Sequence, residues 1–146
     1  MSQIIECSIR QKVPFHDVDP MQIVWHGNYL KYFEVARHAL FNQRGVDLYG
    51  YHKKTGFVFP VTKVSVKYVH PLRFADEFIC TARLREASIK IVLDFEVRLA
   101  SDGRLCARAT TEQVALSTPQ MELQLAIPKE IQEALNAQAD PAAISS

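Results

Sequence analysis

Cysteine, charge of one sign and long apolar runs are all scarce in this sequence, and each shortage closes off a class of explanation. The cysteines are Cys7, Cys80 and Cys106. They are odd in number, widely spaced and set in strand-like runs, which speaks against a disulfide framework or a CxxC pair. They read as small hydrophobes of a reduced protein. The formal net charge is +1, so nothing pulls the chain toward nucleic acid or an anionic membrane. Any anionic ligand must be held by local groups. No apolar stretch approaches the roughly 20 residues of a spanning helix. The first residues lack a charged leader followed by an apolar core. The expectation is a cytoplasmic protein that neither binds nucleic acid nor inserts into a membrane. Repeats, low-complexity tracts and an internal boundary are also missing.

What is present is globular: 146 residues, 48% hydrophobic and 23% charged. A chain of this length buries about two-thirds of its unfolded surface without staples. One domain is expected over 1–137, with 138–146 as a frayed tail rich in Ala and Ser. Residues 4–13 alternate, with Ile5, Cys7, Ile9 and Val13 on one side, as in a half-buried strand. A loop follows to residue 27. The period then becomes helical: Tyr29, Leu30, Tyr32, Phe33, Ala36, Ala39, Leu40 and Phe41 form a broad apolar face. That spacing predicts a helix over about 29–44, with Asn28 as N-cap and Gly45 as left-handed C-cap. Residues 46–56 read as a polar connection.

Strand periodicity dominates afterwards. Val64, Val66 and Tyr68 alternate with lysines and serine, and His70-Pro71-Leu72-Arg73 breaks the run. Phe78 to Leu84 and Ile89 to Leu99 alternate cleanly, and Asp102-Gly103 marks a hairpin into 105–117. Met121, Leu123 and Leu125 suggest one more short strand, and Pro128 opens a short helix. Strand, loop, long helix and then hairpin-linked strands make an α+β architecture, an antiparallel sheet of five or six strands on one apolar helix. Arg83, Arg85, Lys90 and Arg98 belong to its exposed face.

Chemistry concentrates in the loop 16–29, His-Asp-Val-Asp-Pro-Met-Gln-Ile-Val-Trp-His-Gly-Asn-Tyr. Two carboxylates, two imidazoles and an indole crowd a short connection that is also apolar at Ile23-Val24-Trp25, as a cleft wall would be. A helix N-terminus offers unpaired N–H groups and positive potential, which suit the oxyanion formed when a thioester carbonyl is attacked. Gly27 permits close approach there. A carboxylate opposite can attack the carbonyl or deprotonate water. No Ser or Cys nucleophile with a base, no Gly-rich phosphate loop and no metal-ligand spacing is visible, so neither metal nor cofactor is expected. On spacing alone Asp19, before Pro20, reads equally as a turn residue. Asp17 reads as a hydrogen-bonding residue that orders the loop. Glu34 and Arg37, at i,i+3, read as an ion pair rather than a catalytic carboxylate.

Asp-Val-Asp-Pro, Ile-Val-Trp-His-Gly-Asn-Tyr and then Phe33-Glu34-Val35-Ala36-Arg37 together resemble the signature of the 4-hydroxybenzoyl-CoA thioesterase family. They also resemble the related small acyl-CoA thioesterases of the bacterial Tol–Pal cluster. The resemblance spans nearly the whole chain and implies the hotdog fold, in which the sheet wraps the helix. It implies a hydrolase that cleaves acyl-CoA, or an acyl-carrier-protein thioester, with no cofactor. It further implies dimers joined edge to edge and paired into homotetramers, with active sites at the dimer interface. Asp19 takes the family's catalytic position. His26 takes the place of the residue whose backbone N–H polarises the thioester carbonyl. Trp25, Gly27, Asn28 and Tyr29 are expected beside the substrate, and Arg73 near the phosphates of coenzyme A. Gln22 departs from the pattern, standing where many members carry a glycine able to take a positive φ. Two rival readings keep the fold: a hydratase or dehydratase of acyl thioesters, and a non-catalytic thioester-binding or assembly protein.

Overall fold

The computed structural model describes residues 4–137; the expected tail, 138–146, lies outside the described residues. Strand β1 (Glu6–Lys12) leads through a 3-10 turn, Phe15–Asp17, and a second one, His26–Asn28, into helix α1 (Tyr29–Gln43). Helix α2 (Leu48–Thr55) and the short strand β2 (Phe57–Val58) follow. Then come β3 (Val61–Tyr68), β4 (Glu77–Ala87), β5 (Ile91–Leu99) and β6 (Leu105–Gln113). The two-residue strands β7 (Leu116–Ser117) and β8 (Glu122–Leu123) precede helix α3 (Lys129–Asn136).

The main sheet is antiparallel throughout, in the order β1-β4-β5-β6-β3. A small second sheet joins β2, β7 and β8. Alternation selects the core face: Phe78, Cys80 and Ala82 of β4, and Leu93, Phe95 and Val97 of β5, are at most 1% exposed. Helix α1 lies across them with Tyr32, Phe33, Ala36 and Leu40 inward. Phe33 packs on Phe95 at 5.0 Å between ring centroids, and Tyr32 on Phe78 at 4.7 Å. Such aromatic pairs add about 0.5–1.5 kcal/mol beyond the area they bury. The expected long helix on an antiparallel sheet is therefore the observed architecture. Gly45 ends α1 at φ 70°, in the left-handed region that glycine takes freely.

Three expectations are corrected. Residues 46–56 are not a plain connection. The Asp47 side chain caps the Gly50 amide, Gly56 ends the turn at φ 81°, and α2 forms between them. Asn28 is not a side-chain N-cap. It is itself helical at φ −70°, ψ −19°, and its amide group turns back to donate to the Asp17 carbonyl. The apolar residues of β3 are not buried as alternation suggests, because β3 is an edge strand. Val61, Val64 and Tyr68 are 38%, 44% and 46% exposed.

The sheet's outer face is charged as expected. Arg83 pairs with Glu6, Arg85 with Asp94, Lys90 with Glu112 and Arg98 with Glu96. Arg37 is the exception among the basic residues. It is buried over the Phe95 ring, pairs with Glu34 and donates to Thr111 Oγ1 at 2.8 Å. No helix among the described residues is long and apolar enough to cross a membrane.

Candidate active site

The loop between β1 and α1 is built around two aspartates. Asp17 closes the first 3-10 turn and is 1% exposed. Its carboxylate accepts from Lys31 Nζ at 2.6 Å and Tyr32 Oη at 2.7 Å. Its carbonyl accepts from the Trp25 amide at 3.0 Å and Asn28 Nδ2 at 2.8 Å. Burial pushes the Asp17 carboxyl up, but the Lys31 and Tyr32 hydrogen bonds, with the Lys31 and His16 charges, outweigh it and hold it below its ordinary value. Asp17 thus clamps the loop to the start of α1, the ordering part its position suggested.

Residues 18–24 then fold back on themselves. Val18 and Val24 bridge, the Asp19 amide donates to the Ile23 carbonyl at 2.9 Å, and the Gln22 amide donates to the Asp19 carbonyl at 2.8 Å. Pro20 supplies the fixed φ that the second position of such a turn prefers. The Met21 amide donates to Asp19 Oδ1 at 2.8 Å. Gln22 adopts φ 67°, so this chain holds the glycine-type backbone without the glycine. Asp19 is half-buried. One of its oxygens fixes the turn, and Oδ2 receives no hydrogen bond from the described residues.

Asp19 lines a cavity of about 270 Å³. Met21, Ile23 and Val24 continue its wall from the same loop, and His26 and Tyr29 enter from the start of α1. The rest comes from the end of β3 and beyond: Tyr68, Val69, His70 and Pro71. Tyr68 Oη donates to the His26 carbonyl at 2.8 Å and its ring meets Tyr29 edge-on at 5.1 Å. Tyr29 Oη accepts from the Leu72 amide at 3.4 Å, and burial pushes its phenol up to about 12. The Asn28 amide is spent on the Trp25 carbonyl at 2.9 Å. The His26 and Gly27 amides meet no acceptor among the described residues.

The remaining expected site residues lie apart from this wall. Trp25 is 51% exposed and its indole covers Gly27: a Cβ there would meet the ring at 2.3 Å. The small size of Gly27 therefore makes room for Trp25. Asn28 serves Asp17. Arg73 lines a neighbouring cavity of about 460 Å³ with Phe15, Val18, Gln22 and Phe74, and the two cavities share Met21 and Ile23. Sequence reading missed Tyr68, Val69, His70 and Pro71. The only signal was the break in alternation after Tyr68, which says where a strand ends and not what the end touches. Among the described residues no group of three or more His, Cys, Asp or Glu side chains could hold a metal ion.

A half-buried carboxylate, Asp19, and the residues His26 and Tyr29 at the helix start thus border one largely apolar cavity, with two unclaimed amides in the same turn, an arrangement that can polarise a carbonyl and direct a nucleophile at it. Residues 13–135 match the family model described as the Thioesterase-like superfamily. The "Putative acyl-CoA thioesterase YneP" of Bacillus subtilis (strain 168) is 28% identical over 106 residues, 72% of this chain and 75% of that one. A crystal structure of Slr0204, a 1,4-dihydroxy-2-naphthoyl-CoA thioesterase from Synechocystis, superposes with a TM-score of 0.84 at 20% identity, covering 93% of this chain and 99% of that one. A D-to-N mutant of 4-hydroxybenzoyl-CoA thioesterase, complexed with 4-hydroxybenzoyl-CoA, superposes at 0.80 with 20% identity, covering 90% and 99%. At these identities the two structures establish the shared fold.

Proposed function

The chain belongs to the Thioesterase-like superfamily, and on that premise we propose that it hydrolyses acyl-CoA to a free carboxylic acid and CoA in the cavity beside Asp19. One observation carries the reading: Asp19 and His26 border the same cavity of about 270 Å³. The thioester carbonyl oxygen sits against the His26 and Gly27 amides at the start of α1, where fixed donors and the helix dipole stabilise the developing negative charge. Asp19 faces the carbonyl carbon. As nucleophile, Oδ2 bonds to that carbon, CoA thiolate leaves, and water hydrolyses the mixed anhydride. As general base, Asp19 takes a proton from the water whose oxygen adds to the carbon. A single turnover in ¹⁸O-water tests the first route: label within Asp19 marks the nucleophile, because a general base acquires no water oxygen, and trapping of an acyl–Asp19 adduct marks it where water adds at the acyl carbon instead. Tyr29 borders the acyl group, Trp25 shields Gly27, and Arg73, across the Met21–Ile23 wall, reaches the phosphates of CoA. An acyl-carrier-protein thioester fits the same chemistry.

The functional unit in this reading is a cytoplasmic homodimer, paired into a homotetramer. Edge strand β3 supports it. An eight-residue edge with Val61, Val64 and Tyr68 exposed is a template for a second copy, and Tyr68 already borders the cavity. Val64→Asp, placed on that edge, is expected to lower the oligomeric state seen in sedimentation velocity.

The test of the activity is free-thiol release across a panel of aliphatic and aromatic acyl-CoA thioesters, by wild type and by Asp19→Asn. Release by wild type alone supports the reading. Equal release by both removes Asp19 from the mechanism, and release by neither leaves a thioester-binding protein.

A further inference from the structure

Tyr68 is not part of the loop that carries Asp19, yet its hydroxyl reaches the 3-10 turn His26–Asn28 and donates to the His26 carbonyl at 2.8 Å. That turn has no side-chain cap of its own. Asp17 anchors its two ends, through the Trp25 amide and Asn28 Nδ2. Neither bond controls the peptide between His26 and Gly27. In a helical turn the carbonyls point toward the C-terminus and the amides toward the N-terminus. Holding the His26 carbonyl therefore sets the plane of the 26–27 peptide, and with it the direction of the Gly27 amide. The Tyr68 ring is itself located by edge contacts with the His26 ring at 6.2 Å and the Tyr29 ring at 5.1 Å.

We propose that Tyr68 is a positioning residue, whose hydroxyl, by holding the His26 carbonyl, aims the Gly27 amide at the thioester oxygen. The inference rests on the thioesterase reading of the cavity. Tyr68 touches no reacting atom. It acts through the turn, and its effect falls on the transition state, where the oxyanion needs its donors in place. Tyr68 is 46% exposed, so the bond contributes little to stability, while a misaimed amide still slows the reaction.

Tyr68→Phe removes the hydroxyl and keeps the ring contacts. The expected result is a kcat about 10-fold lower, less than the loss of a whole oxyanion donor, with KM changed less than about 2-fold and Tm unchanged. An unchanged kcat overturns the proposal. So does a fall in kcat accompanied by a rise in KM and a lower Tm, which is the pattern of a merely structural residue. Asp19→Asn, assayed in parallel, separates the two levels. An inactive Asp19→Asn with a wild-type Tyr68→Phe overturns this inference alone. A fully active Asp19→Asn overturns the reading of the site and this inference with it.

Discussion

In the turn Phe15–Asp17 the carboxylate is 1% exposed and both its oxygens are occupied, by Lys31 and Tyr32. In the turn that opens at Asp19, one oxygen holds the Met21 amide and the residue stays half-open to a cavity. The two side chains are chemically identical and two residues apart, and the surroundings divide the labour. Asp17 is saturated with donors, so its charge is spent on joining the loop to α1. Asp19 is left with an unclaimed oxygen, which a nucleophile or base requires.

Exchanging each carboxylate for a neutral group is the sharpest way to test that division. Asp19→Asn is expected to lower kcat about 10³-fold, within the usual range for a lost acid–base or nucleophilic group. The melting curve should barely move, because the asparagine Oδ1 still accepts the Met21 amide. The readouts are thiol release and circular dichroism. Asp17→Ala is expected to fail the other way. It strands Lys31 and Tyr32 beside a cavity, and two hydrogen bonds to a charged acceptor are worth about 3 kcal/mol together, read from urea unfolding.

Acid brings out the same contrast more gently. The folded Asp17 carboxyl lies below its ordinary value of 3.8, so the unfolded chain takes up the proton first. Its stabilisation is complete above about pH 4 and drains away as pH falls through the lower folded value. The stability gap between wild type and Asp17→Asn should thus be constant near neutrality and narrow in acid. The smallest expected effect is at Gln22, φ 67°. Gln22→Gly relieves the left-handed cost but loosens the unfolded chain, for a net gain of about 0.5–1 kcal/mol in unfolding free energy.

Much of this was legible in the residues because it is written in local period. Tyr29 to Phe41 announces α1, the alternation of β4 and β5 announces the core face, and Asp-x-Asp-Pro before an apolar run marks the loop that borders the cavity. Other features depend on distance in the chain. Tyr68 closes the cavity from a strand end some 40 positions beyond His26, and no spacing rule connects them. Val64 looks buried by alternation because alternation cannot tell an edge strand from a central one. Helix α2 was missed although Asp47 and Gly56 are good end signals, because the polar residues between them carry no strong apolar face. Gln22 hid a positive φ behind a residue that rarely takes one.

The most direct measurement is a crystal structure of Asp19→Asn holding the acyl-CoA that wild type hydrolyses best. The expected result is a thioester oxygen about 3 Å from the His26 or Gly27 amide, with the residue 19 side chain over the carbonyl carbon. A thioester lodged elsewhere, such as the neighbouring cavity between Phe15 and Arg73, with those amides facing water, would contradict it.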